Sequence, residues 1–353
     1  MSRTTLFSGY SIGADAVENA PAVCAPFGHR VVLIGGPRAL EAVQGRILAA
    51  LKSSSIEVTG VYGYDDAKMT PPAASDADMI FAVGGGRAMD AGKALAHALG
   101  KPLFTLPTVA STCAGSTSLR IPHRPGNRSL ECGASDTPPR HIFIDPQIIA
   151  NAPDVYLRSG LGGALAQCCE YAAMSREALS RPDAMGAALA EPCAASILRW
   201  GQKALADCRR HRVTDELAEV ILSAVVSSGM LSDFLQKDGA LGFAHAMWNG
   251  FAMLPSTVRN RHLHGEVAAY GGLVLLTMGG LREKQEKIYA FNRSVGLPTR
   301  LSDLHATCAD LPAVADLVVR SLTARACSSP LTAELLIQSI VDLEVYNDEH
   351  ERA

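Results

Sequence analysis

The apolar run Met79 to Val83 ends in three consecutive glycines, Gly84, Gly85 and Gly86, after which Arg87 to Leu99 carries apolar residues at helical spacing. A short buried strand that turns on glycine into a helix is the repeating unit of a parallel sheet with helices on both faces. The same pattern recurs around it. Arg30 to Ile34 reads as a buried strand, Gly35-Gly36-Pro37 as a turn with proline at a helix start, and Arg38 to Lys52 as a helix. Val58 to Tyr62, Leu103 to Leu106 and His141 to Ile144 are further strands, with a short β excursion expected across Ser118 to Arg140, where Pro and Gly are frequent.

From about Pro153 the character changes to long amphipathic stretches rich in Ala and Leu. The expected fold is therefore an α/β nucleotide-binding domain over 1–150, Rossmann-like, followed by an all-helical domain over 151–353 that holds the substrate, with a cleft between them. Its charged tail, from Asp348, is expected to fray. With 48% hydrophobic and 19% charged residues in 353, the chain has ample material for a large core. A net charge of -3 provides no basic stripe for a phosphate backbone, which argues against nucleic acid. The first twenty residues lack a basic then apolar leader, and no apolar run reaches the roughly 18 residues of a membrane span. Nine cysteines without a framework spacing read as reduced thiols, so the expected location is the cytoplasm.

Glycines between a strand and a helix let backbone N–H groups approach a diphosphate, and the helix N-terminus adds partial positive charge. By itself the triplet also fits a tight turn with no ligand. The next strand end, Leu106 to Ser116, adds a run of small hydroxyl residues at the carboxyl edge of the sheet, where ligands bind in such folds. Together, GGGRAMDAGKA and PTVASTCAGST resemble the glycerol dehydrogenase branch of the iron-containing alcohol dehydrogenase superfamily, whose pattern there is approximately GGGKxxDxAKA and PTxASTDAP. The likeness continues through FIDPQIIANAP (Phe143 to Pro153), LRSGLGGALA (Leu157 to Ala166) and HAMWNG with HGEVAAYG (from His245 and His264).

The resemblance implies a nicotinamide-dependent dehydrogenase or reductase of the dehydroquinate synthase-like fold, acting on a small molecule as a homodimer or larger homo-oligomer. It places Gly85, Gly86, Arg87 and Asp90 around the cofactor diphosphate and nicotinamide ribose. Thr108, Ser111, Thr112 and Ser118 then line the nicotinamide side. Relatives that use NAD hold the adenosine ribose with an Asp after the first strand; here that position is Gly36, followed by Arg38. Losing a carboxylate and gaining a guanidinium suits a 2′-phosphate, so NADPH is expected, with NADH open and Arg38 as a solvated helix residue the alternative.

Family members bind one divalent ion through an Asp and two His. His245 and His264 match the histidines, but the aspartate of GxGDALA is Gly163. Two imidazoles rarely hold zinc tightly, since catalytic sites supply three protein ligands, so the expectation is no metal. Other pocket positions change too: Cys113 replaces an Asp that contacts the polyol, Trp248 replaces the second His of HAxHN, and Gln236 replaces a pocket Phe. Cys113 is either a small apolar filler or a substitute third ligand. Asp238 lies two helical turns before His245, and that pair is the candidate proton donor. His245 also has a plain reading as a hydrogen-bonded core histidine. The leading expectation is a metal-independent reductase of an imine or activated carbonyl. Its alternatives are a metal-dependent polyol or alcohol dehydrogenase with a substitute ligand, and an inactive nucleotide-binding sensor.

Overall fold

Short β-branched and aromatic runs separated by helices give six parallel strands. In chain order they are β1 (Gly9–Ile12), β2 (Arg30–Gly35), β3 (Glu57–Gly63), β4 (Met79–Gly84), β5 (Leu103–Pro107) and, after a small hairpin of β6 (Leu119–Arg120) and β7 (Gly133–Ala134), β8 (His141–Ile144). The computed structural model describes residues 6–64, 72–120, 133–134, 137–174, 181–235, 242–254, 261–321 and 331–352. Sheet order is β1-β8-β5-β4-β2-β3. The chain leaves β2 in one direction to reach β3, and builds outward from β4 in the other, so the order reverses between β2 and β4. In open parallel sheets ligands bind at such a reversal, outside the carboxyl ends of the strands. Gly36 and Gly84 to Gly86 both stand at that edge.

The helices of this half are α1 (Ala20–Cys24), α2 (Pro37–Lys52), α3 (Pro72–Asp76) and α4 (Gly86–Leu99). One face of the sheet packs Val31, Leu33 and the neighbouring rings of Phe81, Phe104 and Phe143 against α1 and α2; the other packs Val32, Ile34, Ile80 and Ala82 against α3 and α4. Beyond Asp145 the described chain is helical: α5 (Pro146–Ala150), α6 (Asp154–Ala173), α7 (Arg181–Arg209), α8 (Asp215–Leu222), α9 (Ser228–Leu235), α10 (Phe243–Ala252), α11 (His264–Met278), α12 (Arg282–Val295), α13 (Leu311–Ser321) and α14 (Ala333–Arg352). A π turn, Ser223–Ser227, joins α8 to α9. The stretch Asp215–Phe234 is long and apolar enough to cross a membrane by composition, but Leu217, Val220, Ile221, Val225 and Leu231 are fully buried among the other helices. It is a core helix of this half.

Two features differ from expectation. The edge strand β1 follows no apolar run, and the tail does not fray at Asp348 but stays helical to Arg352, with Arg300 pairing to Asp348 and Glu351. The described cysteines are free thiols, as expected.

The two halves meet at glycines. A Cβ on Gly160 of α6 would collide with the carbonyl oxygen of Ala110, and one on Gly229 of α9 with the Ser116 hydroxyl. Missing side chains therefore let α6 and α9 lie directly on the loop that follows β5. This approach builds the site.

Candidate functional site

The glycine turn after β4 needs its residue type. Gly84 sits at φ 140°, in the region that side chains avoid, and its carbonyl accepts from the Thr108 N–H at 3.1 Å, tying the ends of β4 and β5 together. Gly85 caps α4, whose first turn carries no acidic side chain, so nothing opposes an anion there. Added Cβ atoms on Gly85 and Gly86 would press on Val109 at 3.0 Å and Thr112 at 3.2 Å. The loop 108–112 thus flanks the turn, as the sequence implies, with Ser111 and Thr112 half-buried and Thr108 buried. Arg87 is exposed on the first turn of α4. Asp90 is buried and pairs with the equally buried Lys93 at 3.1 Å. At the neighbouring strand end, Gly36 caps α2 and faces the ring of Tyr64, while Arg38 is exposed on the first turn of α2, which also lacks acidic residues.

Across the seam, α6 and α11 cross at a pair of glycines, where Cβ atoms on Gly162 or Gly265 would each strike the other helix's backbone. The Gly265 N–H donates to the Ser159 hydroxyl at 3.1 Å. Glu266 fixes the start of α11: its carboxylate accepts from the Leu263 N–H at 3.0 Å and from Arg158 of α6 at 2.8 Å. His264, the first residue of α11, is thereby set beside position 163. The rings of His245 and His264 lie 4.6 Å apart, and Trp248 packs 5.5 Å from His264. The structure thus gathers the rings of His245, His264 and Trp248, and packs Gly163 against Gly265, the residue after His264.

Burial lowers the His245 pKa to about 4, against a small opposing pull from Asp90, and lowers that of His264 to about 3, with His245 adding to the effect. Both values lie below the usual imidazole range, so the rings are neutral near pH 7. The Nε2 of His264 is buried without a hydrogen-bond partner among the described residues. Asp238, the other member of the expected pair, and Gln236 lie outside the described residues.

Two neutral imidazoles are apt donors for a divalent ion, but the third position is a glycine. Among the described residues no further His, Cys, Asp or Glu completes a metal-binding group with them. Cys113 is not part of such a group: its Sγ accepts a hydrogen bond from Gln167 Nε2 at 3.8 Å, and burial raises the pKa of its thiol. The residues on view therefore do not fit the three-ligand site the resemblance implies.

Several functional candidates escape the sequence reading. Gln167, one helical turn after Gly163 on α6, touches Cys113 and leaves its own Oε1 buried without a partner. Asp233, the one acid in the apolar run Ile221 to Leu235, reaches the loop after β5, and burial raises its pKa against the bonds it receives from Thr117 and Ser118. An acid isolated in an apolar helix was the available signal. Lys93 and Glu170, both buried, were legible only as members of their helices.

A family model described as iron-containing alcohol dehydrogenase matches residues 11–153. The glycerol dehydrogenase of Thermotoga maritima is 30% identical over 277 residues, covering 77% of this chain and 73% of that protein. Hydroxycarboxylate dehydrogenase A of Escherichia coli K12 is 29% identical over 281 residues, 78% of this chain and 77% of its own. Among solved structures, glycerol dehydrogenase from Schizosaccharomyces pombe superposes with a TM-score of 0.86 at 24% identity, covering 99% of this chain and 92% of that one, a likeness of fold.

Proposed function

Since the chain belongs to the iron-containing alcohol dehydrogenase family, on its glycerol dehydrogenase branch, and is an oxidoreductase of that kind, we propose that it moves hydride between NADPH and a small hydroxyl or carbonyl compound. The observation that carries this reading is a juxtaposition: an anion-ready glycine turn at the sheet's reversal point and, across a seam closed by glycines, a half-buried histidine pair within the electrostatic reach of Asp90 on the helix that follows the turn. The relatives named for glycerol and hydroxycarboxylates suggest a substrate of similar size with a second polar group beside the reacting carbon.

In the reducing direction, Gly85 and Gly86 offer backbone N–H groups to the cofactor diphosphate, and Thr112 and Ser118 border the nicotinamide. Hydride arrives at the carbonyl carbon as negative charge builds on its oxygen. Imidazole N–H groups of His245 and His264 can donate hydrogen bonds to that oxygen. Trp248 packs beside the His264 ring and shields one side of it.

Gly163 favours a second reading, a metal-independent reductase of an imine or activated carbonyl. An iminium carbon accepts hydride with loss of charge at nitrogen, so it needs no oxyanion stabiliser. NADPH consumption with a panel of small aldehydes, ketones, 2-oxoacids and cyclic imines separates the readings. Turnover of the carbonyl compounds supports the first, turnover of imines alone the second. Tight nucleotide binding without any turnover would leave only a sensor.

Cofactor choice has its own test. Gly36 has φ −78° and ψ 149°, a backbone that Asp adopts readily as a helix cap, and a Cβ there meets only Tyr64 at 3.4 Å. The Gly36→Asp variant is therefore expected to fold and to set a carboxylate where a 2′-phosphate would sit. The ratio of kcat/KM for NADPH over NADH should fall about tenfold or more, roughly 1.4 kcal/mol. An unchanged ratio would remove Gly36 and Arg38 from cofactor selection.

A further inference from the structure

The turn 117–119 is held from two sides. From the helical half, the Asp233 carboxylate of α9 reaches in, 6% exposed, and its Oδ1 accepts from Thr117 Oγ1 at 2.7 Å, Ser118 Oγ at 2.9 Å and the Ser118 N–H at 3.1 Å. From the sheet half, the buried Lys93 ammonium of α4 donates to the Leu119 carbonyl. Thr117 Oγ1 also accepts from the Leu119 N–H at 3.2 Å, which closes the turn on itself. Just upstream, Ser116 Oγ donates to the Val225 carbonyl of the π turn at 2.5 Å. A π turn offsets the helix's own backbone bonding, and here the offset segment docks the loop that leads to Ser118.

These bonds have a polarity. A serine hydroxyl has one hydrogen and two lone pairs. In Ser118 the hydrogen is spent on a carboxylate that can only accept in its ionised form, so the oxygen presents lone pairs to the half-buried side of the loop. The nicotinamide carboxamide carries an NH2 that needs such an acceptor. The geometry points to Asp233 as a positioning residue for the nicotinamide half of the cofactor: by orienting Ser118 as an acceptor and fixing Thr117, it makes that half of the dinucleotide bind in one pose. This rests on the reading that a nicotinamide nucleotide occupies the cleft. It also puts a carboxylate from α9 beside a loop in which Cys113 stands where relatives have an acid.

The test compares whole dinucleotide with its adenosine half. Binding of NADPH and NADH, and of 2′,5′-ADP and ADP, is measured by calorimetry on the full chain and on Asp233→Ala, Asp233→Asn and Ser118→Ala. Asp233→Ala is expected to weaken the preferred dinucleotide about tenfold, leaving the adenosine half within twofold. Asp233→Asn, which retains an acceptor oxygen, should recover most of the loss. Ser118→Ala should reproduce the selective weakening without touching the buried carboxylate, so a poorly folded Asp233 variant does not stop the test. Equal weakening of both probes would show a merely structural role and overturn the proposal, as would unchanged dinucleotide binding in Ser118→Ala. If the parent chain binds the adenosine half and the dinucleotide alike not at all, the cofactor reading itself fails and takes this proposal with it.

Discussion

The Gly163→Asp variant is expected to retain zinc after dialysis, at close to one ion per chain by elemental mass spectrometry, and the parent chain is expected to lose it. The position is ready for a carboxylate. A Cβ built on Gly163 meets only the Gly265 Cα, at 3.7 Å, an ordinary contact, and Gly163 lies within α6, where nearly any residue suits the backbone better than glycine. His245 and His264 are neutral near pH 7, so their lone pairs need not first shed protons. Adding the third protein ligand should tighten zinc on the order of 100-fold or more, since altering only the partner behind a ligand already shifts affinity by about 10–100-fold. Failure of the variant to gain metal would mean that position 163 does not face a shared site with the histidines. Stoichiometric zinc in the parent would be the opposite surprise: a third ligand would then come from outside the described residues, and the metal-independent imine reading would be lost.

Much of this site was legible because its parts are local. A glycine triplet after an apolar run announces a βα turn, and Arg30 to Ile34, Met79 to Val83 and His141 to Ile144 are strands because little else buries such runs. His245, His264 and Gly163 could be read by alignment to a pattern; the fold pairs the two rings and packs Gly163 against Gly265. What escaped is set by distant partners. β1 is an edge strand whose Tyr10 stays exposed, so it lacks the apolar signature of the central strands. Arg300 anchors the terminal helix from far away in sequence. The contact of Cys113 with Gln167 and the lowering of the His245 pKa by burial both depend on packing between distant segments, which residue type alone does not carry. Asp233 shows the converse, an acid whose role is invisible until α9 is laid against the loop after β5.

Glu170 carries a large expected effect of pH on stability close to neutral pH. It is 8% exposed on α6, and its Oε1 accepts from the Ala244 N–H at 2.7 Å in the first turn of α10. That bond favours the charged form, but burial outweighs it and raises the pKa from 4.5 to about 7. Between those values the folded chain keeps a proton that the unfolded chain has released. Stability contributed by this group is therefore present at low pH and lost as pH rises through the window, with the full penalty reached above pH 7. The displacement corresponds to about 3 kcal/mol. Glu170→Gln keeps the acceptor for Ala244 and removes the charge, so it should unfold at higher urea than the parent at pH 8.5, by up to about 3 kcal/mol in extrapolated stability. The advantage should shrink to under about 1 kcal/mol near pH 5, where the parent's carboxyl is already protonated. A gap that stays constant from pH 5 to 8.5 would show that the carboxylate is not being desolvated at all. Because α10 carries His245 and Trp248, the same pH series on the parent also tells whether the helix that presents half of the site is held by a neutral acid or by a buried charge.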